Sequence, residues 1–296
     1  MRPANDGQRL DVGAAALSGL PRRQVRALID EGRLWLNARP CRVASRVLHL
    51  GDVLDVIGLA PESGGPDLPP LAVVYEDGWL VAVDKPRGAY TQPPRGASTG
   101  LSVLDLAVLR LSHRDGHRVE LKLVHRLDRI TSGVLVLARQ RDAAGRLAAA
   151  WSSRDVDKRY LAVVRGAPAH ELSIDAPIGA DPLAPGRFRV DRHGREAHTH
   201  VRTLAAARDL ALIEARPFSG RTHQVRVHLA ERGHPVLGDG LYGGGSAPPG
   251  PFLHAWRLTL PHPRDGRTLQ LTAPIPDDFA AFLAAHGLGG AVTALT

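Results

Sequence analysis

The chain has 296 residues, 44% hydrophobic and 23% charged, which suits an ordinary globular protein built as one large domain plus a small one, or as two medium domains. No run of about 18 apolar residues occurs, so no membrane span is expected, and the opening Met-Arg-Pro-Ala-Asn-Asp-Gly lacks the apolar stretch of a secretory signal, so the expected location is the cytoplasm. Cys41 is the single cysteine, which excludes an intramolecular disulfide and a cysteine-based metal cluster, while a net charge of +8, carried by 38 basic residues of which only Lys85, Lys122 and Lys158 are lysines, fits either a nucleic-acid partner or a merely solvated basic surface.

Residues 1–60 read as one small unit. Leu10, Ala14 and Leu17 have helical spacing. In a second helix, over about 22–31, Val25, Leu28 and Ile29 fall on one side of the wheel and Arg22, Arg23 and Arg26 on the other. Gly32 suits its C-terminal stop. Strand-like pieces follow at Leu34–Asn37 and Val53–Val56, with Gly51-Asp52 as a turn. The arginine stripe fits a solvated helix face or an RNA-docking face. The stretch Leu20-Pro21-Arg22-Arg23-Gln24-Val25 through Ile29-Asp30-Glu31-Gly32-Arg33-Leu34-Trp35-Leu36-Asn37, closed by Gly51-Asp52-Val53-Leu54, resembles the small RNA-binding domain named after ribosomal protein S4. It departs from the usual pattern at Pro21-Arg22 and at Ala38-Arg39. The resemblance favours RNA docking for Arg22, Arg23 and Arg26.

Residues 61–70, rich in Pro and Gly and without periodicity, read as a linker. From residue 71 to about 287, strand-like runs occur at 73–75, 80–83, 134–137, 160–164 and 210–213. A helix is expected over Arg141–Trp151. His193-Gly194 suits a hairpin turn with arms at 187–190 and 197–201. Strands outnumber helices without strict alternation, which predicts an α+β domain (71–287) on a mixed or antiparallel sheet. Residues 288–296 read as a C-terminal tail.

Two segments carry candidate chemistry. Leu123-Val124-His125-Arg126-Leu127-Asp128-Arg129-Ile130-Thr131-Ser132-Gly133 is a polar loop between two apolar strands, a framework that fixes a reactive side chain. It sets Asp128 between Arg126 and Arg129, whose charges favour an anion able to attack or to take a proton. The plainer reading is a loop aspartate in a surface ion pair. The second segment, Pro217 to Ala230, begins at a turn holding Arg221 and continues as a helix. His223 and His228 lie five apart, about 140° around that helix, so they do not converge on a metal and read as hydrogen-bonded structural histidines. The glycine-rich run Gly238 to Gly245 lacks the Lys-Ser/Thr of a phosphate-binding loop and reads as a flexible turn.

These segments together resemble pseudouridine synthases of the RluA type. His125-Arg126-Leu127-Asp128 with Thr131-Ser132-Gly133 is similar to the family's signature loop. Val83-Asp84-Lys85-Pro86, Lys158-Arg159-Tyr160-Leu161-Ala162 and Gly220-Arg221-Thr222-His223-Gln224-Val225-Arg226-Val227-His228-Leu229, with Gly238-Asp239 behind it, follow in the family's order. Gln92-Pro93 stands where His-Pro is more usual. The resemblance covers about residues 71–280 and implies an isomerase that needs neither cofactor nor metal. It implies that Asp128 is the catalytic carboxylate, that Arg221 is the arginine paired with it, and that Tyr160 packs on the target base. Arg126 would fill the space left by a flipped base. Arg129 and Lys85 fit RNA contact or fold support about equally. The implied partner is structured RNA, ribosomal or transfer, handled by a monomer; an inactive ribosome-associated factor and a hydrolase using Asp128 as base are the other classes.

Overall fold

The computed structural model describes residues 6–57, 70–92, 101–247 and 250–293. The segment expected as a linker, 61–70, lies outside the described residues except for Pro70. The N-terminal unit opens with α1 (Leu10–Ser18) and α2 (Arg22–Asp30). Val25, Leu28 and Ile29 are buried and the arginines exposed, as the wheel requires. Gly32 takes φ +71° and its N–H reaches the Ile29 carbonyl at 3.0 Å, a turn that suits glycine and ends the helix. Strand β1 (Leu34–Leu36) pairs antiparallel with β2 (Arg39–Pro40) and β3 (Leu54–Val56). Leu10, Val25, Ile29, Leu34, Leu48 and Leu54 close a small core between helices and sheet, each such side chain contributing roughly 1.5–3 kcal/mol when fully buried.

The basic stripe of α2 is partly spoken for. Asp11 of α1 is fully buried and accepts from Arg22 at 2.8 Å and Arg26 at 3.1 Å, with Arg9 on its other side. The Arg22 guanidinium, helped by Arg9 and Arg26 and opposed by burial, holds the Asp11 carboxyl far below the usual carboxylate range. Arg22 and Arg26 therefore lock α2 to α1, while Arg23 points to solvent.

The larger part is organised on one sheet. Its strands are β4 (Val73–Glu76), β5 (Leu80–Lys85), β6 (Lys122–Leu123), β7 (Ser132–Ala138), β8 (Asp157–Arg165) and β9 (Glu171–Asp175). Past a separate two-stranded ribbon of β10 (Ile178–Ala180) and β11 (Phe188–Val190) come β12 (His198–Ala207), β13 (Leu210–Pro217), β14 (Leu253–Pro261) and β15 (Thr268–Thr272). The order is β4-β5-β7-β14-β8-β13-β12-β9, with β15 on β14 and β6 on β7. β7 and β14 run parallel; the other pairs are antiparallel, so the sheet is mixed and the fold α+β. Gly133 makes the parallel join possible: at φ +113°, a Cβ there would stand 2.2 Å from the Ala255 carbonyl oxygen.

Helices α3 (Val103–Asp115), α4 (Arg141–Ser153) and α5 (Gln224–Glu231) cover the sheet together with α6 (Asp277–Ala285). α3 starts on a capping box in which Ser102 and Asp105 satisfy each other's backbone N–H groups. On β8, Tyr160, Ala162 and Val164 face α5, while Leu161 and Val163 face Phe252 and α6. Two expectations fail here. The arms 187–190 and 197–201 do not pair with each other: β11 pairs with β10, and β12 joins the main sheet, because Gly194 packs against the Ile178 backbone and steers the chain under β10. Residues 288–293 are not a tail: Leu288 is fully buried beside Phe279 and Leu283, and α7 (Gly290–Thr293) follows it. No helix among the described residues is long and apolar enough to cross a membrane, and no group of three or more metal-ligating side chains gathers among them.

Candidate active site

The loop from β6 to β7 is held rigidly, and it is held by its backbone. Thr91 Oγ1 donates to the Leu127 carbonyl at 2.8 Å and accepts from the Leu127 N–H at 3.2 Å. His125 accepts the Val136 N–H on Nε2 at 2.9 Å and stacks on Trp151 at 4.7 Å between ring centroids; burial pushes its pKa down to about 3, so the ring is neutral. Lys85 is fully buried under the loop and its Nζ donates to the carbonyls of Ala89, Pro86 and Arg129 at 2.8, 3.1 and 3.2 Å. An ammonium has three donors, and here all three are taken by backbone. Lys85 therefore has no surface to offer RNA. Of the two readings open for it, fold support is the one the geometry carries.

Held this way, the loop presents Asp128 half-buried. Arg226 Nη1 donates to its Oδ2 at 3.2 Å. Arg226 itself is buried and forks onto Asp239, at 2.6 Å from Nε and 3.0 Å from Nη2, with its guanidinium 4.8 Å from the centre of the Tyr242 ring. The expected pairing of Arg221 with Asp128 is thus corrected. Arg221 precedes α5, and its Nε donates instead to the Glu196 carbonyl at 2.9 Å. Both arginines stand in one motif, but α5 starts at Gln224, so Arg226 lies within the helix and Arg221 outside it, and Asp239 offers the second carboxylate such a buried arginine needs.

His223 was read as structural, and its surroundings give it more than that. It sits at the N-cap of α5 in the left-handed region, φ +57°. Its Nε2 stands 3.9 Å from Asp128 Oδ2, too long for a hydrogen bond, and its Nδ1 stands 2.7 Å from the Tyr242 hydroxyl. That hydroxyl accepts from the Phe188 N–H at 3.0 Å, so its own proton is available to Nδ1. Burial, more than the charge of Asp128 opposing it, lowers the His223 pKa, which leaves a neutral ring with its Nε2–H toward the carboxylate. His228, by contrast, is fully buried between Thr199 and the Ala176 carbonyl and is structural, as expected.

Tyr160, half-buried, packs with Leu127 and Ala255. Its hydroxyl is held above the ordinary phenol range, first by burial and second by the negative charge of Asp128, so it is protonated at neutral pH. Arg126 and Arg129 are exposed on either side of Asp128; Arg129 donates to the Gly88 carbonyl at 3.0 Å and lies over Tyr90, whereas Arg126 makes no such bond among the described residues. Gln92 is exposed beside Thr91.

Residues 79–231 match the family model described as RNA pseudouridylate synthase, and residues 8–54 match the S4 domain. The chain is 37% identical over 290 residues to an RNA pseudouridine synthase of Mycobacterium bovis, covering 92% of each. It is 38% identical over 226 residues to the ribosomal large subunit pseudouridine synthase D of Nitrosomonas europaea, covering 73% of this chain and 65% of that one. The solved structure of human RNA pseudouridylate synthase domain containing 4 superimposes with a TM-score of 0.62 at 27% identity, over 72% of this chain and 92% of that one. A loop carboxylate gripped by a buried arginine, a half-buried tyrosine beside it and the likeness over residues 79–231 and 8–54 make the chain a member of the RNA pseudouridylate synthase family, an RNA pseudouridine synthase with an N-terminal S4 domain.

Proposed function

We propose that this chain isomerises specific uridines of large-subunit ribosomal RNA, with Asp128 as the reacting carboxylate. The observation that carries this reading is the Asp128 side chain, 27% exposed and fixed at 3.2 Å by a buried arginine. The relatives named for the ribosomal large subunit and the S4 domain support the choice of RNA. In the reaction the bond from N1 to C1′ of the sugar breaks, the uracil turns, and C5 bonds to C1′. The C5 proton leaves and the old N1 gains one, so mass and oxidation state do not change. Asp128 either attacks C1′ or removes the C2′ proton to give a glycal; both routes need a fixed carboxylate, and Arg226 fixes it. Tyr160, protonated at neutral pH, packs on the uracil and can donate through its hydroxyl. Because a stacked base cannot reach the half-buried Asp128, the uridine flips out at a cost of about a few kcal/mol, and the exposed planar guanidinium of Arg126 fills the vacated stack.

The test is pseudouridine mapping of ribosomal and transfer RNA by carbodiimide modification and primer extension, in cells with and without the gene. Stops in large-subunit ribosomal RNA are expected to vanish with the gene, to return with the wild type, and not to return with Asp128→Asn. Loss of stops in transfer RNA alone would replace the target. Full rescue by Asp128→Asn would remove Asp128 from the reaction.

A further inference from the structure

Released from Asp128, Arg221 belongs to a different group of side chains. The turn between β13 and α5 is gripped by Lys158, whose Nζ donates to the Ser219 carbonyl at 2.7 Å. The same turn is tied to the start of β12, where the Arg221 Nε reaches the Glu196 carbonyl next to Arg195, and the His198 N–H reaches Ser219 Oγ at 3.4 Å. Arg154, closing α4 in the left-handed region at φ +67°, lies close enough to act electrostatically on both Lys158 and Arg221. Four cations from four segments thus surround one turn. Burial first, then Arg154 and Arg221, pull Lys158 down to about 8 against the opposing charge of Asp157. Burial, then Arg195 and Arg154, also lower Arg221. Two acids act on the group: Glu196 opposes the shift of Arg221 from beyond ion-pair distance, and Asp157 opposes that of Lys158 but is itself taken by Arg159 and Arg216. Among the described residues none of the four cations makes an ion pair with a carboxylate.

The group lies beside the reacting centre. Lys158 and Tyr160 are two residues apart on one face of β8, about 7 Å along the strand. The turn that Lys158 grips continues within four residues to His223, the side chain next to Asp128. Mutually repelling cations that no carboxylate pairs with, two of them anchored on backbone carbonyls, create a site for an anion. Arginine forks and an ammonium already anchored to backbone suit the oxygens of a phosphodiester. We propose that Arg154, Lys158, Arg195 and Arg221 form a phosphate site that holds the RNA backbone next to the flipped uridine. The proposal rests on the reading of Asp128 as the centre that acts on RNA.

The experiment measures binding of the full chain to large-subunit ribosomal RNA from cells lacking the gene, by filter retention at 50–300 mM KCl, in an Asp128→Asn parent that does not turn over. Each backbone contact contributes about 0.7–0.9 to the slope of log K against log salt. Lys158→Gln, Arg154→Gln and Arg195→Gln are each expected to flatten the slope by about that amount and to weaken binding at the lowest salt. Lys158→Arg is expected to keep the parent slope, which separates charge from folding. Arg264→Gln, an exposed arginine on the β14–β15 connection, is the reference for a general charge effect. Parent slopes in the three glutamine variants, with the parent itself binding, would overturn the phosphate site and leave the enzyme reading intact. A slope lowered equally by Arg264→Gln would reduce the cluster to net charge and also overturn it. No retention of RNA by the parent at any salt would overturn both.

Discussion

Three charged side chains in a row, Asp128, Arg226 and Asp239, decide how the reacting group is aimed. One guanidinium serves two carboxylates: its Nε and Nη2 go to Asp239 and its Nη1 to Asp128. Asp239 is fully buried and also accepts the Leu241 N–H, so it cannot move. It fixes the arginine, and the arginine fixes Asp128. Lysine at this position keeps the charge but offers a point instead of a fork. Arg226→Lys is therefore expected to fold, and to lower the single-turnover rate about 10- to 100-fold, the scale of a misplacement near 1 Å at a reacting group. Arg221→Gln is expected to act mainly through KM, because its side chain donates to the Glu196 carbonyl and its N–H to the Gln224 side chain, and neither reaches Asp128. Single-turnover conversion at saturating enzyme separates the two. A larger rate loss from Arg221→Gln than from Arg226→Lys would restore Arg221 as the partner of Asp128.

At the scale of elements, charge acts as a clamp between helices. α1 and α2 share the buried Asp11, and the two arginines that reach it come from the polar face of α2. Asp11→Asn keeps the shape and loses the charge; it is expected to cost about 1–3 kcal/mol of stability at pH 7. The sign of the pH dependence follows from the lowered carboxyl pKa. The unfolded chain binds a proton on this group near pH 4 and the folded chain only well below that. The contribution is complete above about pH 5 and drains away as pH falls, so the gap in urea midpoint between wild type and Asp11→Asn should narrow from pH 7 to pH 3. A constant gap would mean that Asp11 acts by shape alone. This clamp also marks what the sequence could and could not disclose. The phase of α2 was legible because Val25, Leu28 and Ile29 recur at helical spacing. The signature loop was legible because apolar strands bracket its polar run. The partner of Arg22 and Arg26 was not, since Asp11 lies on another helix and its burial is a product of packing. The same holds for Arg221 and Arg226: both stand in one motif, and only the start of α5 at Gln224 decides which faces Asp128. The pairing of β11 with β10 turned on Gly194 meeting Ile178, a long-range approach with no local pattern.

For the whole molecule the question is whether the S4 domain works as a tethered handle or as part of one body. Trp35, Ala38 and Ile57 leave the small core and pack on Leu109, which is fully buried and belongs to α3 of the catalytic domain. Asp55 of β3 meets His113 one turn further along the same helix. The other end of α3 sits under the active loop: the Val103 N–H donates to the Tyr90 carbonyl, next to the Thr91 that holds Leu127. A helix of 13 residues, about 20 Å long, therefore joins the docking face of the S4 domain to the mount of Asp128. If the docking is energetically real, the two domains unfold together. Leu109 packs on the S4 domain and on its own helix and little else, so Leu109→Asp should spare the catalytic core while placing a charge against Trp35. The loss is on the order of 2–5 kcal/mol or more, the range for truncating a buried leucine. Calorimetry of the full chain should then split from one transition into two, the small domain melting first, and activity on structured ribosomal RNA should fall more than activity on a short oligonucleotide. A single transition at the wild-type temperature would show that the contact carries no coupling and that the S4 domain is a handle after all.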